Sequence, residues 1–171
     1  MGQNRLNLTL DGITRLRAGQ EDKIAFSDSK GMLALFTNLT GASPKMTKIA
    51  DLPGYSLNLT SYEWSGVKIL ADEKHASISV TGSTVNGVSI QTDQGISVGS
   101  SRAEVVAEQG WAVGGQNGDG AANQLGLGRR EVPGTQSLSH PGSTGIQFLL
   151  VIMDGNTVQE IQSPSDDFSD L

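Results

Sequence analysis

The sequence predicts a β-rich α+β domain built as two helix-then-antiparallel-sheet units that share one core. Three observations predict it. Apolar–polar alternation recurs in short segments along most of the chain. Glycine is abundant, at 22 of 171 residues, and clusters with Asn, Asp and Ser between those segments. Helix start signals stand out in two places only, each followed by a run of strands. The length fits one compact domain, 1–163, with repeats at 5–92 and 93–163 and an acidic flexible tail at 164–171.

The better defined helix lies in Gly95 to Gly110, Gly-Ile-Ser-Val-Gly-Ser-Ser-Arg-Ala-Glu-Val-Val-Ala-Glu-Gln-Gly. Ser101 is placed to cap it, and Glu104, three residues on, can reach back to the cap's own N–H. Val105 and Val106 are expected to form its apolar face, and Gly110 its left-handed stop. The earlier helix starts at Ser27-Asp28-Ser29 and carries Met32, Leu33, Leu35, Phe36 and Leu39 in one apolar stripe. Gly41 can end it, and Pro44 prevents its continuation.

Strands fill the rest. Leu6, Leu8 and Leu10 alternate with polar residues, Asp11-Gly12 turns, and Ile13 to Arg17 returns. After a polar connection, Tyr55, Leu57 and Leu59 share one side of a strand running to Trp64. Tyr62 and Trp64 therefore fall on the opposite side, and are expected as exposed binding residues unless a bulge turns Trp64 inward. Ser65-Gly66 and Asn86-Gly87 are hairpin turns, the second the strongest such signal in the chain. From Trp111 to Gly128 the composition loosens into Gly-Gly-Gln-Asn-Gly-Asp-Gly. Leu125 to Val132 reads as a strand or an ordered loop, and Pro133 to Gly145 as turn-rich. Ile146 to Met153 is nearly all apolar, a strand covered on both faces, with Val158 and Ile161 on the returning one.

Bulk properties remove several classes. The net charge of −6 and the sequence pI near 4.8 disfavour a nucleic-acid or anionic-membrane surface. The absence of cysteine removes disulfides and thiolate metal sites. No apolar run approaches the roughly 20 residues of a membrane-spanning helix. No basic-then-apolar leader follows Met1, so either the chain stays in the cytoplasm or an export segment was removed ahead of it. The polar start Met-Gly-Gln-Asn-Arg favours the second.

A family resemblance enters on two motifs. Gly-Ile-Ser-Val-Gly-Ser-Ser-Arg-Ala-Glu-Val, closing at a glycine, resembles a helix opening found in exported bacterial lipoproteins. Phe148, Asp154, Gly155, Val158 and Ile161 fit a late-strand pattern of the same proteins. The resemblance is to the β-lactamase-inhibitor-like and outer-membrane assembly lipoprotein superfamily, mainly over 95–162. It implies a repeat of helices packed on an antiparallel sheet, and a binding role in the cell envelope. This chain departs by showing one helix before each sheet and by lacking the lipid-attachment cysteine. The matching positions hold the fold, so no functional residue carries over.

Catalytic candidates are few. His75 and His140 are the only histidines, both in turn-like contexts, and no Gly-x-Ser-x-Gly elbow accompanies them. Ser143, in Gly142-Ser-Thr-Gly145, lacks that spacing. Asn117 and Asp119 in the glycine run lack the alternating acids of a calcium loop, and no Gly-Lys-Ser/Thr marks a phosphate loop. Asn7, Asn38 and Asn58 open formal glycosylation sequons that carry no weight. The expectation is therefore an exported, non-enzymatic binding domain, with no cofactor and no metal, that contacts a protein or cell-envelope component. The alternative is a small hydrolase or metal-dependent enzyme assembled from scattered residues.

Overall fold

The computed structural model describes residues 4–113 and 122–169. Its first three strands are β1 (Arg5–Leu8), β2 (Gly12–Arg17) and β3 (Gln20–Ala25), followed by helix α1 (Ser29–Thr40). Four strands follow: β4 (Lys45–Lys48), β5 (Thr60–Trp64), β6 (Val67–Ala71) and β7 (Ala76–Val80). A hairpin of β8 (Thr84–Val85) and β9 (Val88–Thr92) leads to helix α2 (Arg102–Ala107). The last four strands are β10 (Trp111–Ala112), β11 (Gln124–Gln136), β12 (Thr144–Asp154) and β13 (Thr157–Asp166).

These strands form two sheets. One has the order β3-β2-β1-β9-β8, with β1 and β9 parallel. The other has the order β10-β11-β12-β13-β7-β6-β5-β4 and is antiparallel throughout. It consists of two runs of four consecutive strands, each preceded by a helix, which meet along β7 and β13. The segment 5–92 contributes to both sheets, whereas 93–163 places its strands in the larger one alone.

One hydrophobic cluster joins the two sheets and α1. Leu6, Leu8, Ile13 and Ile90 enter from the smaller sheet, Met32 and Phe36 from the helix, and Ile69, Val80, Leu125, Val151 and Ile161 from the larger. In the larger sheet the register sets a core row, Leu125–Val151–Ile161–Val80–Val67–Trp64, because residues paired across strands share a face.

Local signals explain the elements. Asp28 caps α1 by accepting the Gly31 N–H, and Gly41, at φ 67°, ends it in the left-handed conformation. Asn86 and Gly87 both take positive φ, the pair required for a two-residue hairpin. At α2 the capping box forms in full: the Glu104 N–H donates to Ser101 Oγ, and the Ser101 N–H to the Glu104 carboxylate. Only Val105 of this helix is buried, while Val106 is exposed, because successive helical side chains point about 100° apart and only one of the two faces the core. The left-handed residue after it is Gln109, at φ 65°, and not Gly110.

Three further expectations are corrected. The polar connection after α1 contains the edge strand β4, whose side chains are all exposed and so leave no alternating signature. Gln124–Gln136 is one long strand, broken by register shifts that explain its irregular pattern. Residues 164–169 do not form a loose tail: β13 runs through Asp166, and Asp167 accepts the Ile146 N–H. The Gly114–Gly120 run lies outside the described residues.

Candidate functional site

Tyr62 and Trp64 do not form an exposed surface. Trp64 is 9% exposed, its ring lies 5.7 Å from that of Phe36, and its indole N–H donates to the Ala42 carbonyl at 3.1 Å. Tyr62 is half-buried against the core. The inversion has a backbone cause. Asn58 adopts φ 50° and β5 starts only at Thr60, so the alternation of Tyr55, Leu57 and Leu59 is not carried into the strand. Thr60, Tyr62 and Trp64 pair with Ala71, Ile69 and Val67, all on the core face. Tyr55 is the exposed aromatic of this segment, at 72%. Trp64 also borders a second groove of about 870 Å³ with Lys45 and Asn86.

The other tryptophan is placed differently. Trp111 pairs with Gly126, and Gly126 with Leu150, a row on the outward face opposite Leu125 and Val151. The indole lies over Gly126, where a Cβ would come within 2.4 Å of a ring carbon. Glycine is thus what lets the ring rest on the strand. Phe148 meets the same indole edge-on, with centroids 5.5 Å apart and planes at 68°. Phe148 is buried yet stands apart from the central cluster, so it belongs to a smaller apolar floor on the outer face.

A cleft of about 890 Å³ opens above this floor. Its polar side comes from the turn between β11 and β12 and from the chain just beyond β13. Asp167 organises that side. One carboxylate oxygen accepts the Ile146 N–H at 2.7 Å, and the other accepts from Ser137 and, at 3.4 Å, from Ser139. Burial works against this carboxylate's charge, but the hydrogen bonds from Ser137, the Ile146 N–H and Ser139 together hold it below the ordinary range. Ser139 also contacts His140 Nδ1 at 3.0 Å, and the His140 N–H donates to Ser137 Oγ. Gln94 also lines the cleft, with its amide nitrogen toward Gly128 and its side-chain carbonyl oxygen buried without a hydrogen-bond partner among the described residues.

The second anchor of the region is Arg102. Its guanidinium donates to the Ala122 and Gly155 carbonyls, each at 2.6 Å, and its backbone N–H to the Asn156 carbonyl at 2.8 Å. It ties the start of α2 to the β12–β13 turn and to the entry of β11. This role was invisible in the sequence, where Arg102 reads as an ordinary first-turn residue.

The histidines separate. His75 is exposed near Asp72, whose carboxyl lies below its usual range chiefly because the Lys74 N–H donates to it. His140 belongs to the cleft. Asp167 contacts the serines and not the imidazole, so Ser139, His140 and Asp167 do not stand in the order of a hydrolytic relay. No group of three metal-ligating side chains occurs among the described residues, and no helix there is long and apolar enough to cross a membrane.

Ser137, Ser139, Asp167, Gln94 and Trp111 were missed as site residues. The one available signal was the hydroxyl pair in Ser137-Leu138-Ser139-His140, and its acid partner lies 28 residues downstream of Ser139. No protein-family model matches the chain, and no characterised protein or solved structure matches it.

Proposed function

We propose that the protein is an exported, non-enzymatic binding domain of a bacterial cell-envelope or secreted protein, and that it meets its envelope or protein partner at the outer-face cleft. The observation that carries this reading is the pairing of an aromatic floor, Trp111 on Phe148, with a hydroxyl-rich rim held by Asp167. A mostly apolar concavity with a few oriented polar groups is the usual form of a binding site. Ser137, Ser139, His140 and Asp167 already hydrogen-bond one another, which suits recognition more than proton transfer.

The finer architectural reading is an internal duplication. It is supported by α1 preceding β4–β7, α2 preceding β10–β13, and the fourth strands of the two runs lying side by side. The smaller sheet lies outside that scheme. The resemblance to the exported lipoprotein superfamily supports the same reading through the capped α2 and the β12–β13 pair.

The test is retention on immobilised protein of a bacterial envelope fraction containing peptidoglycan, lipopolysaccharide and solubilised membrane proteins. Trp111→Ala and Ser139→Ala should each lower retention at least tenfold while circular dichroism stays unchanged. No retention, or equal retention by the variants, contradicts the reading. The hydrolase alternative rests on the Ser139–His140 contact. Turnover of p-nitrophenyl esters that disappears in Ser139→Ala would establish it instead.

A further inference from the structure

We infer that the outer-face cleft takes a neutral saccharide, an inference that rests on the cleft being the binding site. Three features converge on that class. The first is the platform. Trp111 stands on Gly126 with one ring face toward the sheet, is braced edge-on by Phe148, and is partly exposed along the cleft. An indole face carries negative quadrupolar charge. The axial C–H face of a pyranose presents partly positive hydrogens, so the two stack while the ring hydroxyls point outward to the rim.

The second feature is the rim's chemistry. Ser139, His140 and Gln94 can each exchange hydrogen bonds with a hydroxyl, which is at once donor and acceptor. The Gln94 carbonyl oxygen is buried with no partner among the described residues, and it becomes an acceptor for a ligand hydroxyl when the amide turns toward the cleft. Leaving such an atom unpaired is costly, so a donor supplied there contributes to affinity.

The third feature is charge. Both oxygens of Asp167 are engaged by Ser137, Ser139 and the Ile146 N–H, so the carboxylate keeps its negative charge while its acceptor positions are turned to its own chain. Arg129, which also lines the cleft, pairs with Glu131 at 4.0 Å. With a net charge of −6, the protein repels a polyanionic ligand at long range. The charged groups that line the cleft, Glu108, Arg129 and Asp167, sum to a net negative charge, which disfavours a polyanion, and the volume of about 890 Å³ has room for more than one sugar ring.

The experiment is a titration of the full chain with maltohexaose, cellohexaose, chitohexaose and mannohexaose, followed by tryptophan emission and calorimetry. Oligogalacturonate and an unstructured neutral peptide serve as the charged and non-sugar comparisons. At least one neutral oligosaccharide should bind and change the emission. Trp111→Ala and Gln94→Ala should weaken it at least tenfold, with Tm of the Gln94 variant unchanged. Binding that survives in both variants overturns the placement. If no neutral oligosaccharide binds while envelope retention still depends on Trp111, the saccharide class is wrong and the cleft stands. If the peptide binds in their place, the ligand is a polypeptide segment. If nothing is retained and nothing binds, the cleft reading falls with it.

Discussion

Trp64 and Trp111 belong to the same eight-stranded sheet and have opposite fates. Trp64 projects from β5 into the core, against Phe36, with its N–H bonded to Ala42. Trp111 projects from β10 to the outer face, where it rests on Gly126 and leans on Phe148. Neither outcome follows from hydrophobicity, since the side chains are identical. Each follows from the parity of one position in the register, and a single residue of shift would exchange the two faces. The comparison teaches that in this molecule the aromatic to be read as a contact residue is the one whose neighbour across the strand pair is glycine.

Four variants test that contrast. The largest effect is expected at Trp64. Trp64→Ala should destabilise the fold by about 3–5 kcal/mol, as for other buried aromatic truncations, with ligand affinity of the folded fraction unchanged. Denaturant titration measures the first, and loss of affinity without loss of stability would return Trp64 to the surface. At the other pole, Gly126→Ala forces the indole off the strand and should cost about 1–3 kcal/mol from overpacking. It should also abolish retention at the cleft; normal retention would show that Trp111 is not the platform.

A smaller effect is expected where α2 starts. Ser101→Ala removes one half of the capping box and should cost about 0.5–2 kcal/mol. An unchanged unfolding midpoint would mean that the Arg102 contacts to Ala122 and Gly155 hold this helix end without the cap. The smallest effect concerns pH. The folded pKa of Asp167 is depressed, so its contribution is present above the unfolded carboxylate value of about 3.9 and is lost as pH falls through the folded value. Asp93 is shifted upward by desolvation and acts with the opposite sign, so the comparison must be made between Asp167→Asn and the parent. The variant should lose stability near neutrality and show a flatter acid limb; identical acid limbs would mean that the hydrogen bonds from Ser137 and the Ile146 N–H are not formed in solution.

Local chemistry was legible in the sequence where one segment determines its own shape. The caps at Asp28 and Ser101, the stop at Gly41, the Asn86-Gly87 hairpin and the apolar run of β12 could all be read this way. The caps, the stop and the turn depend on residues within four positions of one another, and the run of β12 on consecutive ones. What could not be read depends on distant partners. The parity of β5 is reset by Asn58 and fixed by pairing with β6, the pairing of β1 with β9 joins residues more than 80 apart, and β4 has no apolar pattern to betray it. The cleft was illegible for the same reason. Its rim joins Ser137 and Ser139 to Asp167 in a segment whose acidic composition suggested only a solvated tail.

The most direct measurement is acrylamide quenching of two single-tryptophan proteins, Trp64→Phe, which retains Trp111, and Trp111→Phe, which retains Trp64. Strong quenching of Trp111 is expected, reduced when an oligosaccharide that binds is added, with weak quenching of Trp64 that the saccharide leaves unchanged. Equal quenching of both, or protection of Trp64 in place of Trp111, would contradict the assignment of one tryptophan to the core and the other to the site.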